Sequence, residues 1–191
     1  MSDPTTRESI LDAARELVQV RGYHAFSYRD LSQRVGIKTA SIHYHFPSKS
    51  DLGLVLMAEY RANFRSTLDE IRRGRGGAPQ RLWGFVELFR DTFTDGDRLC
   101  LCGSLAADLM TLPESIRTEV RGFCEDSEGW LMEVLREGVG AGELELDGSV
   151  EIVAETFLAA LEGAMLGARA FGASARIERA GRWLLDTLAA D

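Results

Sequence analysis

With 191 residues, 45% of them hydrophobic, the chain is long enough to bury a core in one or two domains without disulfide or metal staples. No run approaches the roughly 18 uninterrupted apolar residues of a membrane span, and the opening MSDPTTRES lacks the basic-then-apolar plan of a secretory signal, so the cytoplasm is the expected location and no membrane partner is expected. A formal net charge of -8 argues against a nucleic-acid partner only if the charge is spread evenly.

It is not. Residues 1–52 hold seven Lys/Arg and six Asp/Glu, a net of +1, which leaves -9 for the remainder. Between Ser27 and Lys49 the basic side chains Arg29, Arg34, Lys38 and Lys49 are opposed by Asp30 alone. An acidic body carrying one small basic surface is repelled by DNA in every orientation but one.

In chain order the pattern is helical throughout, with the prolines at 4, 47, 79 and 113 beside helix boundaries and no alternating strand pattern. Thr5 or Thr6 caps a first helix whose apolar positions Ile10, Ala14, Leu17 and Val18 recur until Gly22. Ser27 caps a second, YRDLSQRV, which Gly36 ends; Thr39 to His45 forms a third, and Ser48 caps a fourth running through Leu52, Val55, Leu56 and Phe64 to about Ile71. RRGRGGAPQ reads as a loop, with Pro79 suited to the first turn of the next helix. Further helices are predicted over 79–94, 98–111, 113–140, 147–172 and 174–190, giving an all-α chain of about nine helices. In the penultimate helix Val150, Val153, Phe157, Leu161 and Met165 form an apolar stripe beside the small residues Ala160, Gly163, Ala164 and Gly167. Together with Ile177, Leu184 and Leu188 of the last helix, this fits a dimeric four-helix seam or an intramolecular core equally well.

Two short helices joined by VGI match a helix-turn-helix, with Thr39–His45 as the helix that enters the major groove of a double-stranded DNA operator. Thr39, Ala40 and Ser41 are small enough to approach base edges, and Lys49 opens the next helix, where backbone N–H groups favour phosphate. His43 and His45 lie about 200° apart on a helix, so no metal pair is formed, and Tyr44 between them is either part of this surface or core like Ile42. No Ser-His-Asp order, paired carboxylates, P-loop or GxGxxG is present, so neither an enzyme nor a cofactor is expected.

FSYRDLSQRVGIKTASIHYHFPSKSDL resembles the DNA-binding segment of the TetR family of transcriptional regulators, the likeness spanning residues 7–56. The resemblance implies phosphate contacts from Ser27, Tyr28, His43, His45 and Lys49, and base-edge contacts from Arg29, Thr39, Ala40 and Ser41. The frequent family sequence Tyr-His-Tyr-Phe is here His43-Tyr44-His45-Phe46. It further implies a DNA-binding domain over 1–48 and a ligand-binding and dimerisation domain over 49–191, the last two helices joining a homodimer that reads a palindromic operator. The family default is a repressor released by an effector; an adaptor that no longer binds DNA is the alternative.

CLCGSLAADLMTLPESIRTEVRGF resembles a TetR subgroup with a Cys-Leu-x-Gly-Asn-Leu-Ala segment, some of whose members respond to electrophiles or oxidants. Cys100 takes the matching position and Ser104 replaces the usual Asn. A helix start and the nearby Arg98 favour a thiolate at Cys100; Cys102 faces the other side, and a bond from either to Cys124 is open. Alternatively all three are inert core thiols. Phe85, Phe89, Phe93, Met110, Phe123, Trp130 and Phe157 either line a cavity for a small apolar effector or are plain core.

Overall fold

The computed structural model describes residues 5–74, 76–94 and 97–190; Pro4 and Arg75, on which sequence readings fall, lie outside them. Among the described residues there are nine α-helices: α1 (Thr6–Arg21), α2 (Tyr28–Val35), α3 (Thr39–His45), α4 (Lys49–Arg73), α5 (Ala78–Thr94), α6 (Leu101–Ala107), α7 (Glu114–Gly140), α8 (Val150–Phe171) and α9 (Ala175–Leu188). Their only β feature is an isolated bridge between Leu144 and Ala189.

Local chemistry sets the first four helices. The Thr5 hydroxyl accepts from the Glu8 N–H at 3.3 Å while the Glu8 carboxylate accepts from the Thr5 N–H at 2.6 Å. Ser27 with Asp30, and Ser48 with Asp51, repeat the same reciprocal arrangement at the heads of α2 and α4. These bonds, first among them that to the Thr5 N–H for Glu8 and that to the Ser27 hydroxyl for Asp30, hold both carboxyls below the ordinary range. Gly36 ends α2 in the left-handed region at φ +76°, where a Cβ would be strained.

By packing, the described residues within 1–62 and 101–122 form one compact unit, and those within 63–100 and 123–191 form the other. In the first, α1 packs on α2 and on α6, and Ile10, Ala14, Val18, Leu31, Ile42 and Leu105 have no exposed surface. The second is built on rings. Phe85 stacks on Trp130 with centroids 5.6 Å apart and meets Phe89 at 5.3 Å and Phe157 at 6.1 Å, while Phe64 lies 4.6 Å from Phe123. The Trp130 indole N–H, which must find a partner when buried, donates to the Leu68 carbonyl at 3.1 Å. Helix α9 approaches α5 closely because position 181 is glycine: a Cβ there would stand 2.3 Å from Val86 Cγ1.

The helix predicted over 98–111 is broken. Only Leu101–Ala107 is α-helical, and Leu109–Thr111 tightens into a 3₁₀ turn. Pro113 fixes where the segment stops, since it disfavours helical backbone at Leu112, which is extended at φ -83° and ψ 150°. No helix among the described residues is long and apolar enough to cross a membrane.

Candidate nucleic-acid interface

Helix α3 has no side-chain cap, because Lys38 stands at its N-cap. Its placement comes instead from its buried side and from the turn before it. Ile42 is fully buried and Phe46 nearly so. The Ser32 hydroxyl donates to the Ile37 carbonyl at 2.6 Å, pinning the turn, and the Tyr28 hydroxyl donates to the Phe46 carbonyl at 2.9 Å, tying the head of α2 to the end of α3.

The opposite side is left to solvent. Thr39, Ala40 and His43 are exposed, Ser41 and His45 are half-buried, and Tyr44 is 84% exposed, which removes the reading of Tyr44 as core and leaves Ile42 in that role. His43 packs its ring against Tyr28 with centroids 4.7 Å apart, whereas His45 meets Tyr44 edge-on at 5.3 Å. Arg29 and Lys38 are exposed and have no ion-pair partner among the described residues, while Arg34 is paired with Glu16. Unpaired cations on α2 and before α3, together with the small and aromatic side chains on the exposed side of α3, suit a polyanion with readable edges. In sequence Lys38 registers only as charge; its place in the turn directly before α3 is what puts it on this side of the helix.

Three residues expected to touch phosphate also make contacts within the protein. The Ser27 hydroxyl donates to Asp30 at 2.6 Å as part of the α2 cap. The Tyr28 phenol is pushed up to about 12, chiefly by burial and then by Asp51 and Tyr23, and its proton is committed to Phe46. The Lys49 ammonium donates to the Phe26 carbonyl and lies 4.1 Å from the Phe26 ring centroid and 4.9 Å from that of Tyr23. Burial holds this amine below the ordinary lysine range, against an opposite pull from Asp30. Lys49 and Tyr28 therefore position the helices, and two Lys49 hydrogens remain to donate elsewhere.

Residues 10–54 match the family model described as bacterial regulatory proteins, tetR family, and residues 78–184, more than half of the chain, match that of the tetracyclin repressor-like C-terminal domain. The chain belongs to the TetR family. A TetR-family regulator of known crystal structure from Agrobacterium tumefaciens is 37% identical, with 97% of this chain and 98% of that one covered and a TM-score of 0.93. Transcriptional regulator AcuR of Cereibacter sphaeroides is 27% identical over 165 residues, covering 85% of this chain and 75% of AcuR. HTH-type transcriptional repressor DhaR of Mycobacterium sp. is 23% identical over 167 residues, covering 87% and 83%. This TetR-family protein is accordingly a DNA-binding transcriptional regulator.

Of the sensor candidates in this TetR-family chain, Cys100 and Cys102 are each 2% exposed and Cys124 is half-buried, all three as free thiols. Cys100 precedes α6 and interacts with the carboxyl of Glu162 on α8, a partner 62 residues away that no local pattern announces. Burial pushes the Glu162 carboxyl up, and the Cys100 bond opposes that shift. Cys102 points its Sγ at the Val120 carbonyl at 3.6 Å. Phe89, Phe93, Trp130 and Phe157 are buried, and all but Phe93 meet other rings in the aromatic cluster described above. Met110, expected to line a cavity with them, is 85% exposed on its 3₁₀ turn; a side chain so open to solvent lines no buried cavity. Among the described residues no group of three or more His, Cys, Asp or Glu is disposed to hold a metal ion.

Proposed function

We propose that this regulator is a homodimeric repressor that reads a palindromic operator with its two α3 helices and is released by a small apolar or electrophilic effector or by modification of a cysteine. The observation that carries the reading is the solvent face of α3, where Thr39, Ala40 and Tyr44 stand out beside the unpaired Arg29 and Lys38. Residues 1–48 would supply DNA binding, and residues 49–191 effector binding and dimerisation. Thr39, Ala40, Ser41 and Arg29 address base edges; His43, His45 and Lys38 address phosphate; Ser27, Tyr28 and Lys49 hold the helices at the required angle.

Dimerisation through α8 and α9 is supported by apolar side chains left open on them: Ile152 at 61%, Leu166 at 59% and Trp183 at 66% exposed. Large exposed apolar groups gathered on two consecutive helices mark an interaction surface. Repression is supported by the designation of DhaR as a repressor. For thiol control the support is the Cys100–Glu162 contact, which joins a nucleophile just before α6 to a proton acceptor on α8. Release would follow if the modified or liganded protein favours a conformation whose two α3 helices no longer fit successive major grooves.

The test is a mobility-shift titration with DNA from upstream of the protein's own gene, run on reduced protein and on protein treated with a thiol alkylator. Binding when reduced and release when alkylated is the expected pair of results. Binding in both states would remove the thiol arm, and failure on operator and random duplex alike would sink the DNA-binding assignment.

A further inference from the structure

The neutral tautomer of His43 is selected by its neighbour. Its Nδ1 lies 3.2 Å from the carbonyl oxygen of Pro47, and a carbonyl oxygen only accepts, so Nδ1 carries a hydrogen and donates it. In the neutral ring the other nitrogen, Nε2, is then a bare lone pair. A phosphodiester oxygen also only accepts, so neutral His43 presents an acceptor to an acceptor. Protonation reverses this: both nitrogens donate, Nδ1 to Pro47 and Nε2 outward, and the ring gains a positive charge.

Resting on the DNA-binding reading above, we infer that His43 grips backbone phosphate only as the imidazolium, so that this protein takes up a proton at that ring when it engages DNA. The ring is placed for it, exposed at the end of α3 and packed at 4.7 Å against Tyr28. The groups around it leave that proton to His43. From α2, Tyr28 has already given its hydroxyl hydrogen to Phe46, and Arg29 is a permanent cation. At the head of α4, Lys49 is turned to the Phe26 carbonyl and Asp51 accepts from the N–H and hydroxyl of Ser48. On its own helix the charged or titratable neighbours are Lys38, Tyr44 and His45, the last packed edge-on against Tyr44.

The experiment is fluorescence anisotropy of a labelled mixed-sequence duplex at low, constant ionic strength, at about pH 6 and about pH 8, the interval in which imidazole side chains change charge. Wild type, His43→Gln, His43→Tyr and His45→Gln are compared, with thermal melts to establish that each is folded. Wild type should bind several-fold more tightly at the lower pH, with a salt slope steeper by about one. His43→Gln should lose most of that pH difference. His43→Tyr should bind at the higher pH about as tightly as wild type does at the lower, because a phenol donates at both. His45→Gln should keep the His43 share of the difference. The inference is overturned if His43→Gln retains the full pH dependence of wild type, or if wild type shows none. If folded wild type binds no duplex at either pH, the DNA-binding reading falls and takes this inference with it.

Discussion

The hydroxyl of Tyr28 donates a 2.9 Å hydrogen bond to the carbonyl of Phe46, closing the helix-turn-helix from the first residue of α2 to the residue after α3. Tyr28→Phe keeps the ring against His43 and removes the donor, so unfolding stability should fall by about 1 kcal/mol in a denaturant titration. The phenol lies at about 12 in the folded protein, above the ordinary value of 10.0. A raised folded value means the stabilisation is complete below about pH 10 and is lost as pH climbs through about 12. Tyr28→Phe should therefore flatten the alkaline limb of the stability profile, and an unchanged limb would contradict the assignment.

Arg29 and Thr39 should behave unlike Lys49. Arg29→Ala or Thr39→Ala is expected to shift base preference at individual operator positions by about 1–3 kcal/mol while leaving the melting temperature alone. Lys49→Ala removes the contact to Phe26 and two ring contacts, so it should lower the melting temperature and weaken binding to all duplexes alike. A panel of single-position operator variants, measured alongside melts, separates the two classes.

The caps at Thr5, Ser27 and Ser48 were legible because each is a contact across three residues, and Gly36 because a left-handed turn selects glycine. The exposed face of α3 followed from the same local pattern, since Ile42 and Phe46 are its apolar positions. The inward turn of Lys49 was not legible, because its partner carbonyl lies 23 residues earlier and is brought there only by packing. The exposure of Met110 was not legible either: within a helix over 98–111 it was grouped with the cavity-lining aromatics, whereas on the 3₁₀ turn ahead of Pro113 it stands open to solvent.

Trp183→Glu and Leu166→Glu place charges on the open faces of α9 and α8. Each should halve the mass seen by sedimentation while preserving helical circular dichroism, because neither side chain is buried within the protomer. Retention of the dimer in the double variant would rule out this seam.

Glu162→Gln tests the buried carboxyl beside Cys100. Because its folded value is raised above the ordinary 4.5, the wild-type carboxyl contributes stability below about pH 4.5 that is lost as pH rises through the folded value. The glutamine cannot ionise, so the variant should gain on wild type in melting temperature as pH increases from acid to neutral. Parallel profiles would show that the carboxyl is already solvated.

The chain has two lysines, and they answer differently to chemistry. Lys49 is enclosed by a carbonyl and two rings, whereas Lys38 stands open in the turn before α3. Amine-directed reagents will therefore attach at Lys38 ahead of Lys49. A sensor chip or resin loaded through Lys38 would grasp the molecule by the surface proposed to meet DNA and return a falsely weak affinity, so immobilisation belongs on the nucleic acid.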